Sequence, residues 1–318
     1  MRGLIPITCS ALLVAAGPAL SEPSHGGSAS TSIGMAADGR LEGGVPFPAA
    51  APGVRLNPRR LNPGGHFATV ETVRAIVRAA AVVQRELPSP PGCELTVNDL
   101  GFEAGGPIPH HGSHQAGRDV DVLFYLLDVK GMPRPAKGVP LDTHGRGTDF
   151  DDLADPRDDV PVKLDAARTW RFLQALAEDE ESLIQRVFVA EHIRTLLLAQ
   201  ARRAKAPAAA RKLVEDLTCQ PGTPHDDHLH LRFFCADDDI GAGCQDMPPI
   251  FPWRREQLAA RGLEPAMGRP RPERPRSKTS TDAEALAKAG PMHWKVTAFL
   301  KLRETWSKQP HPGRVYCR

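Results

Sequence analysis

The chain has 318 residues, of which 41% are hydrophobic and 25% are charged, enough for one sizeable core with additional terminal segments. The net charge of +2 at pH 7 lacks the strong basic excess that is typical of nucleic-acid-binding domains, so no nucleic-acid partner is expected. Outside the N-terminus no apolar run reaches the roughly 18 residues of a membrane-spanning helix. The 31 prolines and 28 glycines predict many loops and linkers.

The first 21 residues have the layout of a cleaved secretory signal peptide. Arg2 supplies a positive start, residues 4–16 are largely apolar, and small residues follow near Ala19. An uncleaved membrane anchor is the alternative, but Pro6 and the short apolar core disfavour a stable transmembrane helix. We therefore expect export, and no membrane contact after cleavage.

Removal of Cys9 with the signal peptide leaves five of the six cysteines. In an oxidising compartment these favour disulfides over thiolate metal ligands. Cys235 and Cys244 lie close in sequence and are predicted to close a small loop. The pairing of Cys93, Cys219 and Cys317 is left open, and because five is odd, one thiol is expected to be free.

Residues 22–64 are rich in Gly, Ser, Pro and Ala and are predicted to form a flexible lead-in. From Thr69 onward, apolar residues recur at helical spacing. This spacing predicts a helix with Thr69 as its N-cap and Pro88 as its stop. A central domain is therefore expected to begin near residue 65.

Within this central domain, predicted to span residues 65–251, strands and helices follow in mixed order. The predicted elements are strands at 93–102 and 118–128, an acidic loop at 142–159, a helix from about Asp165, a strand at 183–190, a second helix, and a last strand at 228–234. Mixed order with hairpin-like pairs favours an α+β fold over a parallel α/β sheet.

Residues 252–318 are predicted to be a Pro/Arg-rich linker and a C-terminal extension. The stretch RPRPERPRSKTSTDAEA favours a solvated linker because proline interrupts both helices and strand ladders, although contact with an anionic surface is an alternative. A short helix around Trp294 to Trp306 is a candidate to dock back on the core.

The predicted last strand, HLHLRFF, carries an unusual set of polar residues. Because side chains of a strand alternate between its faces, His228, His230 and Arg232 share one face and the leucines share the other. The leucine face can be buried against helices. The histidine face must then line a polar site.

The earlier stretch SHQAGRDVD (residues 113–121) supplies complementary groups. His114 precedes the 118–128 strand, and Asp119 and Asp121 point away from its apolar face. If this strand neighbours the last one, then His114, Asp121 and His230 converge. Two imidazoles and one carboxylate suit zinc with a fourth position left to water, which is the catalytic type of site. A hydrogen-bonded polar cluster without metal is the alternative.

These two motifs, Ser-His-x-x-Gly-x-x-x-Asp in 113–121 and His-x-His in HDDHLHLR (225–232), resemble those of the penicillin-insensitive murein endopeptidases. That family falls in the wider group of lysostaphin-like and D-Ala-D-Ala metallopeptidases. The resemblance spans roughly residues 60–250. It implies a small antiparallel sheet flanked by helices and hydrolysis of peptidoglycan cross-link peptides, first the D-alanyl–meso-diaminopimelyl bond. The N-terminal signal peptide predicts a periplasmic location.

By position, the resemblance implies that His114, Asp121 and His230 bind one catalytic zinc ion, with His228 beside the metal. Some relatives in the wider group place a glutamate three residues before the last ligand, where this chain has Asp227. The shorter side chain favours His228 as the general base.

Other residues near the motifs receive secondary roles. His225 is expected to orient His228 or to contact substrate, and His111 to stabilise an oxyanion or bind a substrate carboxylate. Arg232 is expected to pair with a nearby carboxylate or to grip an anionic substrate. Asp226 and Asp227 are expected to hold imidazoles by hydrogen bonds, and Asp119 is expected to be a supporting carboxylate and not a ligand. His110 is expected to lie exposed in a loop. Asp142 and His144 are expected to lie in a solvated loop rather than to form a second metal site.

Two other functions remain open from the sequence. One is a D,D-carboxypeptidase or dipeptidase with the same metal site but a closed cleft. The other is a non-catalytic wall-binding module with a structural zinc or none. A structural zinc site needs a fourth protein ligand, for which only Cys219 and Cys235 are candidates. The sequence does not indicate the oligomeric state.

Overall fold

The computed structural model describes residues 30–60, 62–223, 225–307 and 317. The predicted signal peptide and Cys9 lie outside these residues. The described strands and helices, in chain order, are β1 (Thr31–Met35), β2 (Asp38–Glu42), β3 (Val45–Pro46), β4 (Ala50–Ala51), β5 (Val54–Leu56), β6 (Phe67–Ala68), α1 (Val70–Glu86), β7 (Leu95–Val97), β8 (Asp119–Leu123), β9 (Leu126–Leu127), β10 (Pro133–Arg134), β11 (Arg146–Asp149), β12 (Val160–Leu164), α2 (Ala166–Glu178), β13 (Ile184–Phe188), α3 (Glu191–Arg203), α4 (Ala208–Leu217), β14 (Thr218–Cys219), β15 (His228–Phe233), α5 (Asp237–Gly241), α6 (Pro252–Ala259), α7 (Asp282–Ala289) and α8 (Trp294–Ser307).

The fold is α+β, as predicted, and is built around a seven-stranded sheet in the order β14-β13-β15-β8-β7-β5-β4. The middle strands, from β13 through β15 and β8 to β7, are antiparallel. Parallel pairs follow on both sides, β13 with β14 and β5 with β7. The sheet is therefore larger than the small antiparallel sheet expected, but the part that carries the polar motifs is antiparallel.

Strands β8 and β15 are neighbours, and their register places His230 opposite Asp121 and Arg232 opposite Asp119. The prediction that these two strands are neighbours is thus confirmed. Leu229 and Leu231 point to the other face, where both are buried in the hydrophobic core. The alternation predicted from the sequence is present in the structure.

Helices α1 to α4 supply the apolar layer over that leucine face. In α1, Thr69 caps the N-terminus by accepting a hydrogen bond from the Thr72 backbone N–H at 3.3 Å. The helix ends at Glu86, just before Pro88, as predicted. Ile76 of α1 and Phe172 of α2 are fully buried in the same core as the sheet.

The predicted flexible lead-in is wrong for residues 31–56, which form β1 to β5. Its small residues permit close packing rather than disorder. A Cβ atom on Gly39 would lie 2.4 Å from the carbonyl oxygen of Ile33 across the β1–β2 hairpin. The buried Arg118 guanidinium then ties the hairpin to the domain, donating to Ser32 Oγ and to Asp246 Oδ1, both at 2.9 Å.

The C-terminal region is also more integrated than a linker. Helix α6 packs against the domain through Arg254, whose Nη2 donates to the Cys235 carbonyl at 2.7 Å. Residues 269–280 run along the surface, where the His110 N–H donates to the Lys278 carbonyl at 2.8 Å. The terminal helix α8 docks on the core and buries Trp306, which confirms the expectation for this segment.

The structure pairs Cys235 with Cys244, as predicted, and Cys219 with Cys317. Cys93 is the free and buried thiol among the described cysteines, in agreement with the odd count. Among the described residues, no helix is both long and apolar enough to cross a bilayer.

Candidate metal centre

Three imidazoles converge on one carboxylate oxygen, Oδ1 of the buried Asp121. His230 Nδ1 lies 3.2 Å from this oxygen, His114 Nε2 lies 3.4 Å from it, and His228 Nε2 lies 3.5 Å from it. Asp121 and His230 face each other across the β8–β15 pair, and His114 enters from the loop before β8. The strand register thus assembles the centre.

The donor atoms are arranged as metal ligands would be, and not as hydrogen-bond partners of one another. In the described structure, His114 Nε2 and Asp121 Oδ1 are buried and neither has a well-aligned hydrogen-bond partner. Ligand atoms about 2.0 to 2.2 Å from a tetrahedral zinc lie roughly 3.3 Å apart, which matches the observed separations. Two imidazole nitrogens and a carboxylate oxygen are also donors that zinc accepts.

A second set of atoms shares two members with the first. His111, His114 and Asp121 can each offer one ligand atom such that all three atoms lie within 4.8 Å of one another. His111 Nδ1 lies 3.5 Å from Oδ2 of Asp121, the other oxygen of that carboxylate. The centre therefore contains His114 and Asp121 with either His111 or His230.

His114 is held in a conformation that leaves one ring nitrogen available. Its Nδ1 lies 2.6 Å from the Leu100 carbonyl oxygen, so Nδ1 carries the proton and Nε2 presents a lone pair to the centre. Its backbone has φ of 68°, in the left-handed region that non-glycine residues rarely adopt. Such a conformation at a residue of the centre indicates that the fold constrains this imidazole.

His230 lies beside the fully buried Asp119. Its Nε2 lies 3.1 Å from Asp119 Oδ2, while Arg232 donates to both Asp119 oxygens at 2.9 and 2.7 Å. Burial alone would raise the pKa of Asp119, but the Arg232 charge outweighs it and holds that pKa well below the usual range. The Arg232 guanidinium also lies 5.0 Å from the Phe188 ring centre. Asp119 is therefore an ionised support for His230.

His228 is oriented by its sequence neighbour. Its Nδ1 lies 2.6 Å from Asp227 Oδ1, and its Nε2 faces Asp121. Burial lowers the pKa of His228, but the Asp121 and Asp227 carboxylates outweigh it and raise this pKa to about 9. Because much of this effect comes from Asp121, a cation bound at Asp121 would lower the pKa of His228.

The sequence model of the penicillin-insensitive murein endopeptidases matches residues 32–280, well over half of the chain. The chain belongs to this family. The match begins in β1, so the family domain includes strands that the composition had assigned to a lead-in. No curated protein matches the chain. The family name denotes hydrolysis within murein, so the substrate class is peptidoglycan and the expected location is outside the cytoplasm.

His111 has a partner that the sequence reasoning missed. Its Nε2 lies 2.9 Å from Oδ2 of Asp99, a fully buried carboxylate that also accepts from Asn62 Nδ2 at 2.9 Å. Asp99 follows β7, the strand next to β8. A carboxylate at the end of a predicted strand was the available signal, but the strand order needed to use it was not evident.

His225 lies in the same cleft but does not orient His228 in this structure. Its Nδ1 lies 2.8 Å from the Thr223 carbonyl, and its ring centre is 4.8 Å from that of His228. Burial, together with the nearby His228 and His230, lowers the pKa of His225 to about 3. It is therefore a neutral imidazole on the wall of the cleft.

The cleft has a volume of about 300 Å³ and lies directly over the centre. Its lining includes His111, Phe188, His225, His228 and Arg232. His110 lies exposed at its rim, as expected.

Asp226 does not hold an imidazole, contrary to expectation. Its carboxylate accepts instead from Arg303 and Trp306 of α8. The long separation along the chain explains why this contact was not predicted.

Asp142 and His144 form a turn in which Asp142 Oδ1 accepts the His144 N–H at 2.8 Å. His144 is exposed, and among the described residues the only metal-capable cluster is the one at Asp121.

Both cysteines that could have closed a structural zinc site, Cys219 and Cys235, are disulfide-bonded. Neither therefore offers a thiolate to the centre.

Proposed function

We propose that this protein is a zinc-dependent endopeptidase that hydrolyses D-alanyl–meso-diaminopimelyl cross-links of peptidoglycan. One zinc ion is held by His114, Asp121 and His230. The observation that carries the proposal is the convergence of imidazole nitrogens on the buried Asp121 Oδ1, at separations that suit a tetrahedral cation.

His230 is a better third ligand than His111. The His230 and His114 nitrogens face the same Asp121 oxygen, whereas the His111 nitrogen faces the other one. The remaining nitrogen of His230 contacts Asp119, an arrangement that orients a metal-bound imidazole. His111, held by Asp99 through Nε2 and lining the cleft, is then assigned to contact with substrate.

When bound, zinc supplies a water of lowered pKa and polarises the scissile carbonyl. His228 Nε2 points to the same centre and is placed to accept the proton of the attacking water and deliver it to the leaving amine. Asp227 fixes the imidazole through Nδ1 and stabilises its protonated form. Since Asp227 takes the orienting role, His225 is assigned to contact with substrate.

We further propose that the protein is exported to the periplasm and that residues 1–21 are then cleaved. The two disulfides fit an oxidising compartment. The mature chain then meets peptidoglycan directly and needs neither a nucleic-acid partner nor a membrane anchor.

The test is digestion of purified cross-linked muropeptide dimers by the zinc-loaded mature protein, with mass spectrometry of the products. Conversion of dimers to monomers that stops with a chelator is the expected result. Release of terminal D-alanine alone would reassign the protein as a carboxypeptidase. Bound zinc without any product would favour a wall-binding module.

Three variants sharpen the assignment. His228→Ala should keep one zinc per chain and lose activity by about 10²- to 10⁴-fold, the range for acid–base help. His230→Ala should lose both zinc and activity. His144→Ala changes an exposed histidine outside the centre and should leave zinc content and activity unchanged.

A further inference from the structure

The motif loop (residues 220–223 and 225–227), which leads into β15, is attached to the C-terminal helix α8. Asp226 in this loop is 0% exposed, and each of its oxygens accepts from α8. Arg303 donates through Nη2 to Oδ1 at 2.5 Å and through Nε to Oδ2 at 2.9 Å. Trp306 Nε1 donates to Oδ2 at 3.0 Å. Charge-assisted, two-point contacts of this kind fix position as well as charge.

This attachment adjoins the residues assigned to proton transfer. Arg303 Nη2 also lies 3.9 Å from Asp227 Oδ2, and the other Asp227 oxygen holds His228 Nδ1 at 2.6 Å. Asp226, Asp227 and His228 are consecutive, so a displacement of the Asp226 carboxylate moves the pair that follows it.

A second attachment ties the start of the same loop to the C-terminus. Cys219 is disulfide-bonded to Cys317, whose N–H donates to the Gln220 carbonyl at 2.8 Å. The loop is thus attached at both ends to residues that lie beyond the family match, which ends at residue 280.

Helix α8 has its own support on the domain. Phe299 packs edge-on against Phe150 with ring centres 5.6 Å apart, and His293 Nε2 lies 3.3 Å from Asp159 Oδ1. Val296 is buried. The helix is therefore a seated element that can hold the loop in place.

We propose that Arg303 and Trp306 are positioning residues that hold the motif loop, and through it Asp227 and His228, in the geometry needed for hydrolysis. This role rests on the proposed function. Arg303 and Trp306 are one turn apart, so both act from one face of α8. Neither touches the metal centre or the substrate cleft in the described structure.

The test compares Arg303→Ala and Trp306→Phe with Arg271→Ala. Arg271 is a matched control because it makes a similar two-point contact with Asp38, at 2.8 and 2.7 Å, in the same C-terminal region. Measured quantities are zinc content, melting temperature, and kcat and KM on cross-linked muropeptide dimers. Trp306→Phe keeps the aromatic packing and removes only the N–H donor, so it serves if Arg303→Ala fails to fold.

The expected result is a fall in kcat on the order of 10- to 100-fold in both α8 variants, the scale for small misplacement of catalytic groups. KM and zinc content should change little, and Arg303→Lys should recover part of kcat. Arg271→Ala should retain kcat within about twofold, since it lies away from the cleft. Unchanged kcat in both α8 variants, or an equal loss in Arg271→Ala, would overturn the positioning role.

Amide hydrogen exchange gives a readout that does not depend on activity. The Leu141 N–H donates to the Asp226 carbonyl at 2.8 Å, and the Ala190 N–H donates to the His225 carbonyl at 2.9 Å. Exchange at both amides should speed up in the α8 variants and not in Arg271→Ala. If the wild-type protein binds zinc but cleaves nothing, the proposed function fails, while unchanged exchange refutes the loop attachment separately.

Discussion

Asp119→Asn removes the charge that supports both His230 and Arg232, and its consequences can be worked out from the contacts. The substitution keeps the size of the side chain but leaves the Arg232 guanidinium without its anionic partner. Breaking a buried ion pair in this way costs about 3–5 kcal/mol of the free energy of unfolding. Arg232 is 17% exposed and keeps its contact with Phe188, so the loss should fall near about 3 kcal/mol.

The same substitution weakens the hold on His230. Loss of a carboxylate that orients a metal-bound imidazole reduces metal affinity by about 10- to 100-fold. Urea unfolding of the zinc-free protein measures the first effect. Competition for zinc with a chromophoric chelator at pH 7 measures the second. The two assays separate stability from binding.

Asp246→Asn is the matched control, because Asp246 accepts from the buried Arg118 at 2.9 Å and not from a residue of the centre. It should also lose stability and should keep wild-type zinc affinity. Equal zinc affinity in Asp119→Asn and the wild type would refute the assignment of His230 as a ligand supported by Asp119.

Three further predictions concern the rest of the fold. Burial raises the pKa of Asp239 from 3.8 to about 6, so folding favours its protonated form and its contribution to the free energy of unfolding should fall as pH rises from about 4 to 6. Asp239→Asn should remove this pH dependence, which amounts to at most about 3 kcal/mol over that range. The free energy of unfolding is measured by urea unfolding at each pH, and an unchanged pH dependence in the variant would contradict the prediction. Leu231→Ala should cost about 2–5 kcal/mol by the same method, against less than about 0.5 kcal/mol for Val129→Ala at a 72% exposed site. The buried Cys93 thiol, whose pKa burial raises, should react with Ellman's reagent only after denaturation, and rapid reaction of the native protein would show that it is accessible.

The sequence predicted the central part of the site because its signals are local. The alternation in HLHLRFF determined which side chains of β15 face the centre, and the same rule applied to Asp119 and Asp121 in β8. One assumption about strand neighbours then sufficed to bring His114, Asp121 and His230 together. Helix α1 was predictable for the same reason, since its cap, apolar spacing and stop are local.

Other features depend on contacts between distant segments. Asp226 carries no sign in its own motif that it binds Arg303, 77 residues further along. Asp99 acquires its role only through the placement of β7 beside β8. The prediction of a flexible segment at residues 22–64 rested on composition alone. Composition cannot distinguish glycines that confer flexibility from glycines such as Gly39, which allow two strands to approach closely.

The pairing of β8 with β15 also bears on how the protein acquires its metal. Helices α2, α3 and α4 separate the two strands in sequence, so His114 and Asp121 meet His230 only after the chain between them has folded. A slip of one residue in this pairing would turn Leu231 toward the centre and an imidazole into the core. Cation binding and strand register are therefore thermodynamically linked, and free cation stabilises the correct pairing in proportion to the logarithm of its concentration. During refolding, uptake of zinc should report the moment at which the two strands pair in register, later than the collapse of the chain.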